Sequence, residues 1–301
     1  MLRRLKLDLQ RNYQAYLMVL PSIVLIFIFA YIPMYGILMA FENYRPQLGV
    51  LGSKWVGLYH FKDFLTSPHS LNVIRNTLFI SVYSLLVGFP CPIILALLLN
   101  EVRCQAYKRT VQTISYMPYF ISSVVVAGMV LSFLNADGVL NQILAIFNVP
   151  PKAYNTLPKA FPIFYTVTCI WKSFGWGSIL YLSTISSIDP GLYESAKIDG
   201  ANRLQRCWYV TLPHLSNLII IQLIFSIGGL LGSNTELILL LYVPATYSTA
   251  DVIGTYVYRD GLMGGRFSYG TAVGIFTSMI NFTLLFITNK ISTKVADYGI
   301  W

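Results

Sequence analysis

Charge is scarce in this sequence. Of 301 residues only 11% are Asp, Glu, Lys or Arg, less than half of the roughly 25% usual in a soluble domain. Hydrophobic residues make up 55%, so the chain reads as a membrane protein rather than a globule in water. Cysteine is scarce too. Cys91, Cys104, Cys169 and Cys207 fall in apolar runs or inner loops without a CxxC pair, which indicates neither a disulfide nor a zinc site. His60, His69 and His214 lie outside the apolar runs, separated and without ligand spacing. They read as solvated loop side chains, so no metal site and no catalytic group is expected. The phosphate-cradling pattern GxxxxGK[ST] is absent, and the chain therefore cannot hold ATP in that manner itself.

What is present is a series of long apolar runs. A hydrocarbon core of about 30 Å needs roughly 20 helical residues, and six stretches meet that length: 16–41, 73–99, 111–134, 161–188, 215–241 and 269–291. The expected fold class is all-α, a polytopic membrane protein of about six transmembrane helices forming one domain over 1–301. The first run lacks a clear small-x-small cleavage site and should stay as a span. Six spans put both termini on one side. Lys and Arg number twelve in the termini and the loops on their side, against eight in the longer opposite loops. The positive-inside rule then places both termini in the cytoplasm. The net charge of +9 is spread over separate loops rather than gathered into a patch with aromatics, which argues against nucleic acid and for membrane lipid and topology.

The loops carry their own signals. Trp55 to Leu65 mixes aromatics and charge as a short interfacial helix does, and Val139 to Phe147 reads as a short amphipathic helix ended by Pro150 and Pro151. Cytoplasmic loop 189–213 is the most informative. Asp189 is a good N-cap and Pro190 suits the first helical position. A helix should run from there to Gly200, which can adopt the left-handed conformation that ends one. A second amphipathic helix, about Asn202 to Tyr209, would lead to Leu212 and Pro213. Small residues Ser195, Ala196 and Ala201 allow close approach of a partner, and Glu194 offers it a carboxylate, as in helix-in-groove docking.

The string ESAKIDGA from Glu194 to Ala201, followed by Leu212 and Pro213, resembles the EAA loop of binding-protein-dependent ABC importer permeases. The match carries Glu194, Ala196, Asp199, Gly200, Ala201, Leu212 and Pro213, while Ser195 replaces a usual Ala. WKSFGWGSILYLSTISSIDPGLYESAKIDGA (171–201), RNTL (75–78), YMPYF (116–120), VIGTYVYRDGL (252–262) and the terminal YGIW resemble carbohydrate-uptake permeases, in particular the lipoprotein-associated polysaccharide or oligosaccharide branch. The resemblance covers nearly the whole chain. It implies the type I ABC importer permease fold, with loop 189–213 as the element that couples the spans to an ATPase. It further implies a bacterial plasma-membrane complex with a second homologous permease, two ATP-binding subunits that hold ATP and Mg, and an extracellular solute-binding lipoprotein. This chain would hold no cofactor and would pass a carbohydrate by alternating access.

Polar residues within spans usually face a bundle interior or a water-filled path. Gln222, Ser226, Gly229, Ser233 and Glu236 recur at steps of four and three along the fifth span, with Asn234 beside them, as do Thr271, Gly274, Ser278 and Asn281 along the sixth. Both stripes are candidate pathway walls. In the fourth span Trp171 and Trp176 offer aromatic faces of the kind that cover sugar rings, with lining and packing equally good readings of both, and Lys172 adds a charge to the candidate pathway. The small stripe Thr77, Ser81, Ser84, Gly88 and Cys91 in the second span reads instead as close helix packing. Treating the spans as continuous helices puts Lys172 near the midplane and Glu236 near the outer end, roughly 9 Å apart in depth. The cost of leaving either charge alone points to a pair. An ion-coupled secondary transporter would need broken spans in two related halves and acidic groups at midplane, and a membrane enzyme would need a ligand or catalytic cluster. The sequence displays neither.

Overall fold

The computed structural model describes residues 11–296 and 298–300. Arg3, Arg4 and Lys6 of the N-terminal basic cluster, and Trp301 of the terminal YGIW, lie outside the described residues. The chain is helical almost throughout. The principal helices are α1 Tyr13–Phe41, α2 Tyr59–Thr66, α3 Pro68–Glu101, α4 Gln105–Tyr116, α5 Ser123–Leu134, α6 Val139–Ala145, α7 Phe161–Ser186, α8 Pro190–Ile198, α9 Arg203–Gly228, α10 Thr235–Leu241 and α11 Phe267–Ala296. Strands β1 Glu42–Asn43 and β2 Lys54–Trp55 form one short antiparallel hairpin, with Glu42 opposite Trp55.

Five segments are long and apolar enough to cross a membrane by length and composition: Tyr13–Phe41, Pro68–Glu101, Ser123–Ala145, Arg203–Gly228 and Phe267–Lys294. The expected fourth span, α7, has the length, at 26 residues, but carries Lys172 and many Ser, Thr and Tyr. Packing explains its composition. Eleven of its residues are buried, whereas α1 buries only Ala40, so α7 faces protein and α1 does not.

Two expected spans are broken. The third, 111–134, ends as an α-helix at Tyr116, makes one 3₁₀ turn over Met117–Phe120 and restarts at Ser123. Pro118 interrupts the ladder by lacking an N–H, and Ser122 caps the new helix by accepting from Val125 N at 3.3 Å. The fifth, 215–241, ends at Gly228 and restarts at Thr235. Its polar residues therefore do not share one helical face.

The chain divides into two compact units. One comprises Met1–Thr66 and Tyr258–Phe276; the other comprises Ser67–Val257 and Thr277–Trp301. In the first, Phe41 stacks on Trp55 with centroids 5.6 Å apart. Arg266 holds Asp63 at 2.7 Å and lies over the Tyr269 ring. His60 is 8% exposed, with Nε2 3.1 Å from the Glu42 carbonyl, so it is buried by the hairpin and not solvated.

In the second unit α7 packs against both halves of α3 and against α4 and α9. Ile80, Val126, Phe161, Tyr165 and Leu237 belong to one apolar cluster, and Ile93, Leu99, Tyr181, Ile185 and Leu215 to a second. The other two histidines lie on helices. His69 Nε2 is 3.2 Å from Asp251 Oδ2, and His214 Nδ1 is 2.8 Å from the Val210 carbonyl. Asp251 is 2% exposed and also accepts from Thr255 Oγ1 at 2.7 Å. Asn76 donates to the carbonyls of Ser248 and Asp251, and Thr77 accepts from Ile253 N. These bonds fasten the loop before Val257 to α3.

At Gly175 the backbone of α7 approaches that of α4 so closely that a Cβ would collide with the Ser115 carbonyl. Backbone cannot swing aside as a side chain does, so Gly175→Ala should cost about 1–3 kcal/mol. We expect the purified protein to melt several degrees lower. Gly128→Ala, where nothing lies within 4 Å of the added atom, should leave the melting temperature unchanged or raise it.

Candidate functional site

Two features of the second unit stand out: a polar interior and a projecting loop. The interior lies between the two apolar clusters. Along α3 it occupies the stretch between Ile80 and Ile93, and along α7 the stretch between Tyr165 and Tyr181. A cavity of about 280 Å³ is lined there by the hydroxyls of Ser81, Ser84, Thr166, Ser173, Ser226 and Ser233 among others. Ser84 and Thr166 bond each other at 2.9 Å, while the buried Oγ atoms of Ser81 and Ser233 have no protein partner. Unsatisfied buried hydroxyls are costly unless something in the cavity engages them. The small stripe of the second span thus lines this cavity through Ser81, Ser84 and Gly88, in addition to packing Gly88 against Ile170.

A second cavity, about 410 Å³, adjoins the first through Cys169 and Ser173 and is completed by Tyr119, Lys172, Asn234 and Leu237. Lys172 Nζ donates to Ser123 Oγ at 3.0 Å, and Ser123 Oγ donates to Glu236 Oε2 at 3.3 Å. The two charges therefore meet across one hydroxyl rather than in direct contact. The expected depth gap between them assumed an unbroken fifth span, and the break returns Glu236 to the level of Ser123.

That break is itself satisfied by side chains. Asn281 Oδ1 accepts from Leu231 N at 3.0 Å, Tyr165 OH from Asn234 N at 3.2 Å, and Asn234 Oδ1 from Leu237 N at 3.1 Å. Asn281 and Asn234 thus close the broken backbone, and Asn234 also lines the second cavity. Neither Ser278 nor Asn281 is among the lining residues of either cavity. Trp176 stacks on Tyr119 with centroids 4.7 Å apart and planes 6° apart. Trp171 is half-exposed on α7, away from both cavities.

The projecting loop follows α7. Asp189 Oδ1 accepts from Gly191 N at 2.9 Å and Pro190 opens α8. Gly200 ends α8 at φ +80°. Ala201 N then bonds the Ala196 carbonyl at 2.9 Å and Gly200 N the Lys197 carbonyl at 3.1 Å, the paired closure of a Schellman motif. Asn202 and Gln205 form a capping box that starts α9. No separate second helix exists. Arg203 to Gly228 is one continuous segment, with a π-turn over Cys207–Thr211 just before Leu212 and Pro213. Tyr193 OH bonds Thr211 Oγ1 at 2.9 Å, pinning α8 to the base of α9. Glu194, Ser195, Asp199 and Gly200 are exposed and Ala196 and Ala201 half-buried. Ile198, Leu204, Trp208 and Tyr209 expose large apolar faces.

A multi-helix membrane chain with a polar interior and a rigid, exposed loop helix is the architecture of a transport subunit. The chain belongs to the family described as binding-protein-dependent transport system inner membrane component, whose model matches residues 88–297. It is 40% identical over 99% of its length to the polygalacturonan/rhamnogalacturonan transport system permease protein YteP of Bacillus subtilis strain 168, covering 94% of that protein. It is 26% identical to the arabinooligosaccharides transport system permease protein AraP of Halalkalibacterium halodurans, covering 89% of this chain and 84% of that protein. A crystal structure of a bacterial ABC transporter involved in import of the acidic polysaccharide alginate contains a chain with TM-score 0.89 and 43% identity, covering 97% of this chain and 99% of that one. A second structure, of a bacterial alginate ABC transporter in complex with an alginate pentasaccharide-bound periplasmic protein, matches at TM-score 0.90 and 42% identity, over 99% of this chain and 100% of that one. The protein is therefore a multi-pass permease component of an ABC importer.

Because Ser123 joins Lys172 to Glu236, the three should behave as one unit. Lys172→Met or Glu236→Gln alone should each destabilise the protein by about 1–2 kcal/mol. The double substitution should cost no more than the worse single one. A double-mutant cycle on melting temperature checks this, and strictly additive losses would refute the coupling.

Proposed function

We infer that this chain is the permease subunit of an importer that takes up an oligosaccharide delivered by an extracellular solute-binding protein, by alternating access driven by ATP hydrolysis in separate subunits. The observation that carries the coupling role is the continuity from α8 to α9. A capped, exposed helix with Glu194 on it is joined by a fixed glycine turn and the Tyr193–Thr211 bond to a helix that runs without a gap into a candidate span. A push on α8 is thereby passed to the transmembrane layer instead of being absorbed by a loose loop.

The remaining partners follow from this reading. Two ATP-binding subunits would receive the segment Glu194, Ser195, Ala196, Asp199, Gly200 and Ala201, with Leu212 and Pro213 behind it, and would hold ATP and Mg. A second, homologous permease would complete the pathway, and a solute-binding lipoprotein would dock outside. The excess of Lys and Arg in the termini and short loops supports cytoplasmic termini in a bacterial plasma membrane. The absence of a GxxxxGK[ST] phosphate loop supports a chain that is not itself an ATPase. Carbohydrate as cargo is supported by the relatives' transport of polygalacturonan, arabinooligosaccharides and alginate. It is supported also by a cavity lined with hydroxyls, two of them, Ser81 and Ser233, without a protein partner, which suits a polyhydroxylated solute. Ser226, Ser233, Asn234, Lys172 and Glu236 form or adjoin that interior, with Trp176 behind Tyr119. Ser278, Asn281 and Trp171 do not line it, and Asn281 instead supports the break between α9 and α10.

Gly200→Val forces a branched residue into a left-handed backbone at a cost of about 1–2 kcal/mol or more, and Glu194→Arg reverses the charge offered to the partner. Both should lower uptake by about tenfold or more and reduce co-purification of the ATP-binding subunits with the tagged permease, while the permease still reaches the membrane. Normal uptake with normal co-purification in both variants would sink the coupling assignment.

A further inference from the structure

An ammonium group inside an apolar layer needs a countercharge and acceptors for its three protons. Lys172 has less than that. One proton goes to the Ser123 hydroxyl. Among the described residues no carboxylate stands within ion-pair distance of it, and Glu236 is reached only across that hydroxyl. The cavity that Lys172 lines holds one cation and no anion, its other walls being Tyr119, Cys169, Ser173, Asn234 and Leu237.

The neighbours of this ammonium are of two kinds. Tyr119 is backed by the parallel ring of Trp176, an apolar face of the sort that covers sugar C–H groups. Cys169, one helical turn back along α7, and the adjacent Ser173 open into the hydroxyl-lined cavity where Ser81 and Ser233 lack partners. A neutral sugar would satisfy the hydroxyls and the aromatic face and leave the ammonium with weak dipoles only. A sugar acid satisfies all three, because its carboxylate forms a charge-assisted hydrogen bond with Lys172.

We propose that Lys172 is a carboxylate-recognition residue of the transport cavity, taking one carboxylate of an acidic oligosaccharide beside the Tyr119–Trp176 stack. The assignment rests on the reading of this interior as a carbohydrate pathway. Glu236 reaches Lys172 only across the Ser123 hydroxyl and is not among the residues lining that cavity, so it does not meet the solute there.

The complete importer, reconstituted in proteoliposomes with its partner permease, ATP-binding subunits and binding protein, provides the test. Uptake is measured for short galacturonate and alginate oligomers and for neutral arabino-oligosaccharides. Lys172→Gln should lower uptake of the acidic oligomer by about 10- to 100-fold, and Lys172→Arg should retain most of it. The pair Lys172→Met with Glu236→Gln, which removes both charges, should assemble and melt close to the wild type yet fail to recover uptake. Recovery in that double variant would show that Lys172 only neutralises Glu236 and would overturn the proposal. Undiminished acidic uptake by Lys172→Gln, or an Arg variant as impaired as the Gln variant, would overturn it equally. A wild-type importer that takes up the neutral oligomers and none of the acidic ones refutes this inference alone. One that takes up no oligosaccharide refutes the carbohydrate reading beneath it.

Discussion

The polar interior depends on one backbone constraint: a helix inside an apolar layer can be broken only where protein groups satisfy the freed N–H and C=O groups. Between Gly228 and Thr235 the chain leaves its helix, and Asn281, Tyr165 and Asn234 take up the N–H groups of Leu231, Asn234 and Leu237. Without those three acceptors a continuous helix would be the lower-energy course. With them, Ser226 and Ser233 line a cavity on either side of the break, and Glu236 comes to Ser123 instead of lying further along a straight span. The second break, at Pro118, matches it by placing Tyr119 and Ser123 at the same interior.

The helix α7 sits between these breaks. Its two ends are held by apolar clusters and its middle is left polar. The same helix leads directly, through Asp189, into the loop helix α8, so the wall of the cavity and the exposed loop helix are consecutive in the chain. The Tyr193–Thr211 bond then ties α8 to α9, whose far end is the break at Gly228. Movement of α8 is thus connected by covalent and hydrogen-bonded routes to both sides of the interior.

Much of this was legible in the residues. Asp189, Pro190 and Gly200 mark the start and end of α8 because capping and a left-handed turn are local requirements, met by residue type alone. Apolar runs mark the helices for the same reason. The positions of the breaks were not read, although a signal was there: the run IGGLLGSN before Thr235 has the glycine and Asn composition of a turn followed by an N-cap. A periodicity of three and four residues overrode it. The burial of His60 is not legible in its neighbours because it depends on a hairpin formed by residues that precede it, and Ser81 and Ser84 read as packing because small hydroxyls serve both uses.

The sequence by itself determined the class of protein, the number of its long apolar segments to within one, and the loop helix with its caps. These follow from interactions between residues a few positions apart and from the bulk free energy of transfer into lipid. Only the tertiary structure decided where polar groups converge. Lys172, Ser123 and Glu236 are separated by 49 and 113 positions, and their meeting depends on which helices break and what accepts the freed backbone bonds. No periodicity along a single helix contains that information.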